Sequence, residues 1–209
     1  SAKFSITDRN AFRGAELLKM SLLGSWFNSN NGPGWEFGGD VSVEIPRFVA
    51  PFGLSKLVPK EMSPRTLFSI GSSVQKNIGL DRQTFTLFSD YKWQYNAQKT
   101  IQLEVFNTQY IQNQNIDKYF NVYSSEFTNL KNVVLELDPS FVFPDDETLP
   151  QVALNKMRAI ATDNSLQVSN PTEFNNNLNI LNRYNIITSD FLIPTIAYSY
   201  TYNNQSNFK

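Results

Sequence analysis

The residues able to do chemistry in this chain are almost all carboxylates. Asp145, Asp146 and Glu147 form its acidic cluster. Carboxylates of this kind ligate calcium when a loop spaces them correctly. Here the ligand spacing of a known loop is missing, and acids favour helix N-termini, so a solvated turn leading into a helix is the expected reading. Glu36, Asp40 and Glu44 recur at even spacing on one side of an extended stretch. Two carboxylates flanking a glycosidic bond would serve glycoside hydrolysis. Carboxylates at alternate positions of one wet strand face read instead as plain surface or lumen, and they fail the wider requirements of a site. Asn204, Gln205 and Ser206 match a glycosylation acceptor, a three-residue pattern of little specificity. There is no His and no Cys. That removes disulfide scaffolds, thiol chemistry, Ser–His triads and zinc sites built on those ligands. No phosphate loop, metal motif or nucleophile motif is present, so the chain is expected to be neither an enzyme nor a cofactor carrier.

The elements that hold these residues follow from composition and period. The chain has 209 residues, room for one large domain or two small ones. Lys plus Arg number 18 against 19 Asp plus Glu, so no basic surface is available for a nucleic-acid backbone. Charged residues make up only 18%, below the usual share of about a quarter, while aromatics reach 14% with 17 Phe and 9 Tyr. Asn occurs 24 times. An aromatic, polar-neutral chain short of charge fits a sheet with one apolar and one polar face. The start, Ser1-Ala2-Lys3-Phe4, reads as a mature or truncated piece. No apolar run reaches 18 residues, which excludes a transmembrane helix; a transmembrane barrel needs only strands of about 9–11 residues. No short internal repeat is evident beyond a rhythm of strands and turns.

Alternation of period two recurs six or seven times. Phe4 and Ile6 begin it, and a polar corner comes next at Asp8 to Gly14. Leu18, Met20, Leu22 and Trp26 then fall opposite Lys19, Ser21 and Ser25, with Leu23 as the exception. Asn28 to Gly34 reads as a turn. Trp35, Phe37, Val41, Val43 and Ile45 share the face opposite Glu36, Asp40, Ser42 and Glu44. Five large apolar groups and three carboxylates cannot share a dry core, so one face must meet water and the other lipid or a packed partner. Pro46 ends that strand, and a Pro-punctuated connection runs through Pro51, Pro59 and Pro64. Phe68, Ile70 and Val74 alternate next. After a turn near Asn77 to Arg82, Phe85, Leu87, Tyr91, Trp93 and Tyr95 oppose Thr84, Thr86, Asp90, Lys92 and Gln94. Asn96 to Lys99 reads as a tight turn, and a strand carrying Ile101, Leu103 and Val105 fades near Asn113. The last strand places Leu192, Ile196, Tyr198, Tyr200 and Tyr202 on one side, with Pro194 at a strand end or an unpaired position.

Between residues 115 and 190 the alternation stops, for longer than a structureless connection in a compact domain should run. Two short helices are expected there. One begins near Thr148 to Pro150, where a first-turn Pro is tolerated, and groups Leu149, Val152, Ala153, Met157 and Ile160. The other comes after Asn170-Pro171 and groups Phe174, Leu178 and Leu181.

Two architectures alternate in this way. In a soluble sandwich the apolar face packs on a second sheet. In an outer-membrane barrel it meets lipid, with Tyr and Trp near the strand ends. Trp26 and Trp35 flanking one turn, and Trp93 with Tyr95 closing another strand, suit an interfacial girdle. The long insertion suits an extracellular loop and the Asn96–Lys99 turn a periplasmic one, whereas the Pro46–Pro64 connection is long for that side.

Two segments carry a resemblance. The first runs Phe4-Ser-Ile-Thr-Asp-Arg9-Asn10-Ala-Phe12-Arg-Gly14-Ala-Glu16. The second runs Val43-Glu-Ile-Pro46-Arg47-Phe48-Val-Ala-Pro-Phe52 and continues at Ser63-Pro-Arg-Thr66. Together they resemble early barrel strands of the BamA/TamA family of outer-membrane insertases, and most of all its TamA-like lipoprotein branch in Bacteroidetes, TamL. Asn182-Arg-Tyr-Asn185, Asp190-Phe-Leu-Ile193 and Tyr198-Ser-Tyr-Thr-Tyr-Asn203 are similar too. The family's Val-Arg-Gly-Phe loop motif and its POTRA domains have no counterpart here.

The resemblance implies a non-enzymatic factor in the bacterial outer membrane. Such a factor aids insertion or export of client proteins by strand pairing at an opening seam, with a TamB-like periplasmic protein as a further partner. The expected fold is all-β: about seven antiparallel strands of a transmembrane barrel with a long, partly helical insertion. Residues 1–114 would be early barrel strands, 115–190 an extracellular loop, and 191–209 a further strand. Single-chain bacterial barrels have an even strand number from eight upward, so the remaining strands are expected from the same protein or another chain. Lipid-facing candidates are Leu18, Met20, Leu22, Trp35, Phe37, Val41, Val43, Ile45, Phe85, Leu87, Tyr91, Trp93, Tyr198 and Tyr200. Lumen-facing candidates are Lys19, Glu36, Asp40, Glu44, Asp90 and Lys92. A porin-like or nutrient-uptake barrel and a secreted glycan-binding sandwich are the alternative functions, the latter using the aromatics as a sugar platform.

Overall fold

A computed structural model describes residues 1–29, 32–50, 57–76 and 79–204. The tip of the turn between Asn28 and Gly34, residues 77–78 of the next turn, Pro51 and Phe52, and part of the glycosylation pattern at Asn204 lie outside the described residues. The chain divides into two compact units. One comprises Ser1–Lys76, Arg82–Gln112 and Phe191–Lys209; the other comprises Asn77–Asp81 and Asn113–Asp190.

The first unit is a single antiparallel sheet whose order follows the chain: β1 (Ala2–Arg9), β2 (Leu17–Ser29), β3 (Gly32–Ile45), β4 (Arg65–Lys76), β5 (Asp81–Asn96), β6 (Lys99–Gln114) and β7 (Phe191–Tyr202). β1 and β7 are its edges, and the sheet is not closed. No second sheet exists among the described residues. β4 begins at Arg65, three residues before the first alternating Phe, because Thr66 already pairs with Ile45 on one side and Tyr91 on the other.

Register keeps like faces together. Leu18 stands opposite Val43, Met20 opposite Val41, and Trp26 opposite Trp35. Val43 in turn faces Phe68, and Ile70 faces Leu87. A slip of one residue would send every one of these groups to the other face, so the hydrophobic pattern fixes the pairing. Between Glu104 and Asn107 the β6–β7 register slips through an irregularity, a bulge that shifts the facing of the residues beyond it. Pro194 sits inside β7 opposite Thr108 and not at a strand end. Pro lacks an N–H to donate and within sheets is confined to edge strands, strand starts or bulges; β7 is an edge strand of this sheet. The turn after β5 is closed by Asn96, whose Oδ1 accepts from the backbone N–H of Gln98 (3.0 Å) and Lys99 (2.9 Å).

The second unit is helical: α1 (Tyr119–Val122), α2 (Ser124–Leu137), α3 (Leu149–Thr162), α4 (Asn164–Ser169) and α5 (Pro171–Thr188). α3 and α5 start where expected, each with Pro in its first turn. α3 buries Ala153, Leu154, Met157 and Ile160, so Leu154 and not Val152 completes its inner face. α5 buries Phe174, Asn177, Ile180 and Tyr184, while Leu178 and Leu181 are only partly buried. That face is rotated from the expected one because Asn177 has an inward partner: its Nδ2 donates to the Met157 carbonyl at 2.8 Å. The sequence pattern does not predict α2, since its Asn and Val residues lower helix propensity and packing overrides it.

The hydrophobic core belongs to this unit. Tyr119, Leu130, Val134 and Met157 are fully buried there. The Tyr119 and Tyr184 rings meet edge-on at 4.9 Å. Burial, with the Glu126 carboxylate nearby, pushes the Tyr119 phenol up to about 12. Asn113 ties the two ends of the insertion together: its Nδ2 donates to the carbonyls of Ile187 (3.0 Å) and Ser189 (2.6 Å). Its N–H donates to Asp190 (3.0 Å).

Candidate functional site

The sheet itself is the candidate site, and its two faces differ in a direction opposite to that of a water-soluble domain. On the apolar face Phe37 is 57% exposed, Ile70 63% and Leu87 53%. Met20, Leu22, Val41 and Phe85 are exposed as well, and Leu18, Trp35, Val43 and Ile45 are half-buried. On the opposite face Asp40, Ser42, Glu44, Ser69, Thr86 and Asp90 are half-buried and Gly38 is buried. Large apolar groups thus stand further out than the small polar groups behind them.

Glycines give the reason. Gly38 and Gly71 lie on the polar face. A Cβ at Gly38 would come within 2.8 Å of the Ser73 Cβ, and one at Gly71 within 2.9 Å of Thr86 Oγ1. Opposed Cβ atoms in an antiparallel pair normally stand about 4.5–5.5 Å apart. Glycine at these positions lets neighbouring strands approach closely on the polar side. Gly24, on the apolar side opposite Phe37, has nothing within 4 Å of its missing Cβ. The polar face is crowded at these two positions; on the apolar face Gly24 is open, whereas a Cβ at Gly39 would meet Leu22 Cδ2 at 3.0 Å.

The polar residues bond across strands. Glu44 pairs with Arg65 at 3.1 Å, and Gln75 donates to Glu36 at 3.1 Å. Asp40 lies opposite Ser21 and Gly71, Lys19 opposite Ser42, Asp90 opposite Leu67 and Lys92 opposite Arg65. Glu36 and Glu44 therefore have separate cross-strand partners and do not converge on one reacting centre. The Asp145–Glu147 cluster is a turn in which Asp146 Oδ1 accepts from the Thr148 hydroxyl and from the Thr148 N–H at 2.8 Å, interactions that hold the carboxyl below its usual range. No group of acidic residues able to hold a metal ion occurs among the described residues.

Aromatics gather near both ends of the apolar face. At one end Trp26 opposes Trp35, and the Lys76 ammonium lies 5.8 Å from the Trp35 ring centre. At the other, Phe48 folds back over the strand ends, 5.1 Å from Tyr91 and 5.8 Å from Trp93. Tyr91 is consequently buried, which corrects its expected exposure to lipid. All of Tyr198, Tyr200 and Tyr202 are exposed on the edge strand, where Tyr198 faces Leu103 and Tyr200 faces Ile101.

The two motif segments meet at a residue that sequence reading does not single out. Between β1 and β2, Asn10 (φ 72°), Arg13 (φ 63°) and Ala15 (φ 62°) all adopt left-handed backbone, which non-glycine residues rarely do. The corner closes around Glu16, which is 4% exposed. Its Oε2 accepts from Gly14 N–H at 2.8 Å, and its carbonyl accepts from Asn10 N–H at 2.6 Å. Asn10 Oδ1 accepts from Ala15 N–H at 2.9 Å. A Cβ at Gly14 would collide with the Glu16 carboxylate, so a side chain there would displace that carboxylate from the corner. Arg47 reaches the same carboxylate at 3.6 Å. Hydrogen bonds from backbone N–H groups, with Arg47, outweigh burial and hold the Glu16 carboxyl below its usual range.

Beyond Pro46, the Arg47 carbonyl accepts from Thr66 Oγ1 at 2.8 Å, and that oxygen accepts from Val49 N–H at 3.0 Å. Thr66 is fully buried by this bridge. Arg9 closes β1 opposite Leu17, and Phe12 stays exposed. The carboxylate inside the Asn10-to-Glu16 corner and the arginine after Pro46 are each unremarkable in sequence; only the antiparallel β2–β3 pairing brings them together. Searches against protein-family models, curated proteins and solved structures find no match for this chain.

Proposed function

We propose that this sheet is part of an outer-membrane β-barrel whose apolar face meets lipid and whose polar face lines the lumen. The observation that carries this reading is the inverted exposure of the two faces. In water, a face presenting Phe37, Ile70, Leu87 and their neighbours would be an apolar patch far larger than a monomer tolerates. β2 to β7 have 12 to 16 residues each, enough to cross at the usual tilt. Unpaired backbone in hydrocarbon costs several kcal/mol per group, so the edges at β1 and β7 call for further strands from the same protein or a partner chain.

Within that frame the function we favour is assembly or export of client proteins by strand pairing at a seam. Its support is the family-like corner and Ile45-to-Phe48 segment, joined through Glu16 and Arg47. No side-chain chemistry is required of such a factor, and lipid and client strands are its proposed partners, with a TamB-like protein in the periplasm.

Trp26 and Trp35 share the apolar face by register, and Trp93 follows Tyr91 on that face by strand alternation. Brominated acyl chains should therefore quench most of the tryptophan emission of the full chain reconstituted in vesicles. Emission insensitive to bromine would overturn the membrane reading. Loss of many unrelated barrel proteins on depletion supports assembly; loss of one solute's uptake would assign the barrel to transport instead.

A further inference from the structure

A groove of about 390 Å³ runs between α2 and α5 in the helical unit, within the range of ligand sites. Its two walls repeat one pattern. α2 reads Glu126, Phe127, Asn129, Asn132, Val133; α5 reads Glu173, Phe174, Asn176, Asn179, Ile180. Each helix turns its Phe into the core, and Val133 and Ile180 are both buried. Residues three and four apart lie on one helix face, so the Asn pairs form two facing rows. All four Asn line the groove.

The repeat fails in charge at its last position, where Glu136 on α2 corresponds to Arg183 on α5. Arg183 bonds the nearly buried Glu126 and so neutralises one end. Glu136 and Glu173 also line the groove, and neither forms an ion pair among the described residues. The result is a polar trough with free amide donors and acceptors along it and two unneutralised carboxylates. No aromatic ring lines it, so it lacks the stacking platform that would favour a sugar ring.

We propose that the α2–α5 groove binds an extended polypeptide segment carrying a Lys or Arg side chain. A side-chain amide donates and accepts at once, which matches a peptide group's C=O and N–H. The free carboxylates supply the countercharge for the basic residue. The proposal concerns the helical unit alone and does not depend on the sheet lying in a membrane.

The test is titration of the isotope-labelled full chain, in detergent micelles, with capped tri-lysine, capped tri-glycine and maltotriose. Amide shifts should map to Asn129, Asn132, Asn176 and Asn179 with tri-lysine, more weakly with tri-glycine, and not with maltotriose. The Glu136→Gln/Glu173→Gln double variant should weaken tri-lysine binding about threefold or more, the order expected for two exposed charge pairs, and leave tri-glycine unchanged. Glu61→Gln, on the other unit, should change neither. No groove shifts with tri-lysine in the unaltered protein, equal shifts with maltotriose, or indifference to the double variant would each overturn the proposal.

Discussion

Glu16 sits in an environment unlike the one its type suggests. A carboxylate is expected in water, yet this one is enclosed by its own corner and receives Gly14 N–H and Arg47. Its lowered pKa fixes the sign of its pH effect. The ionised form is favoured by the folded corner, so the stabilisation is fully present above the ordinary carboxylate range and is lost as pH falls through the lowered value. Protection of the Gly14 and Ala15 amides, taken relative to the intrinsic exchange rate at each pH, should therefore fall in acid. Glu16→Gln should show low protection there at neutral pH and little further loss in acid, because the charge that holds the corner is already gone. The segment Asn10 to Glu16 is legible in sequence as a polar corner and as family-like. Its distant partner is not, because Arg47 lies 31 positions further along the chain than Glu16.

At the scale of elements, strands are legible because period two is a local signal that register then enforces. Leu18, Met20, Val41 and Val43 share a face in sequence and in structure. Helices are less so. α3 and α5 announce themselves through a first-turn Pro, whereas α2, rich in Asn and Val, depends on the core it joins. The facing assignment is directly testable in β3. Val43→Arg should cost about 2–4 kcal/mol near a bilayer midplane, read as a shifted denaturation midpoint for folding into vesicles. Ser42→Arg points to the polar side and should cost clearly less. Equal costs would mean that the sheet has no lipid-facing side.

The whole molecule divides its two kinds of stability between its units. The helical unit has a buried aromatic and aliphatic core, while the central strands rely on their neighbours and on whatever covers the apolar face. β3 and β4 each have two partners, but β1 and β7 each have one. In micelles containing this chain alone, amides of β1 and β7 should exchange faster than those of β3 and β4, measured by hydrogen exchange. Protection of β1 and β7 equal to that of β3 would show that those edges find each other or a second chain, and would refute the open sheet.

By itself the sequence determined the strand alternation, the unusual shortage of charge, the absence of His and Cys chemistry, and the presence of something structured between residues 115 and 190. These depend on residue type and on spacings of two to four positions. Only the tertiary structure decided that the strands form one open sheet with no second layer among the described residues, that they approach closely on the polar side at Gly38 and Gly71, and that Glu16 meets Arg47. Close approach and long-range pairing arise from contacts between strands, and no local period encodes how closely two distant backbones approach.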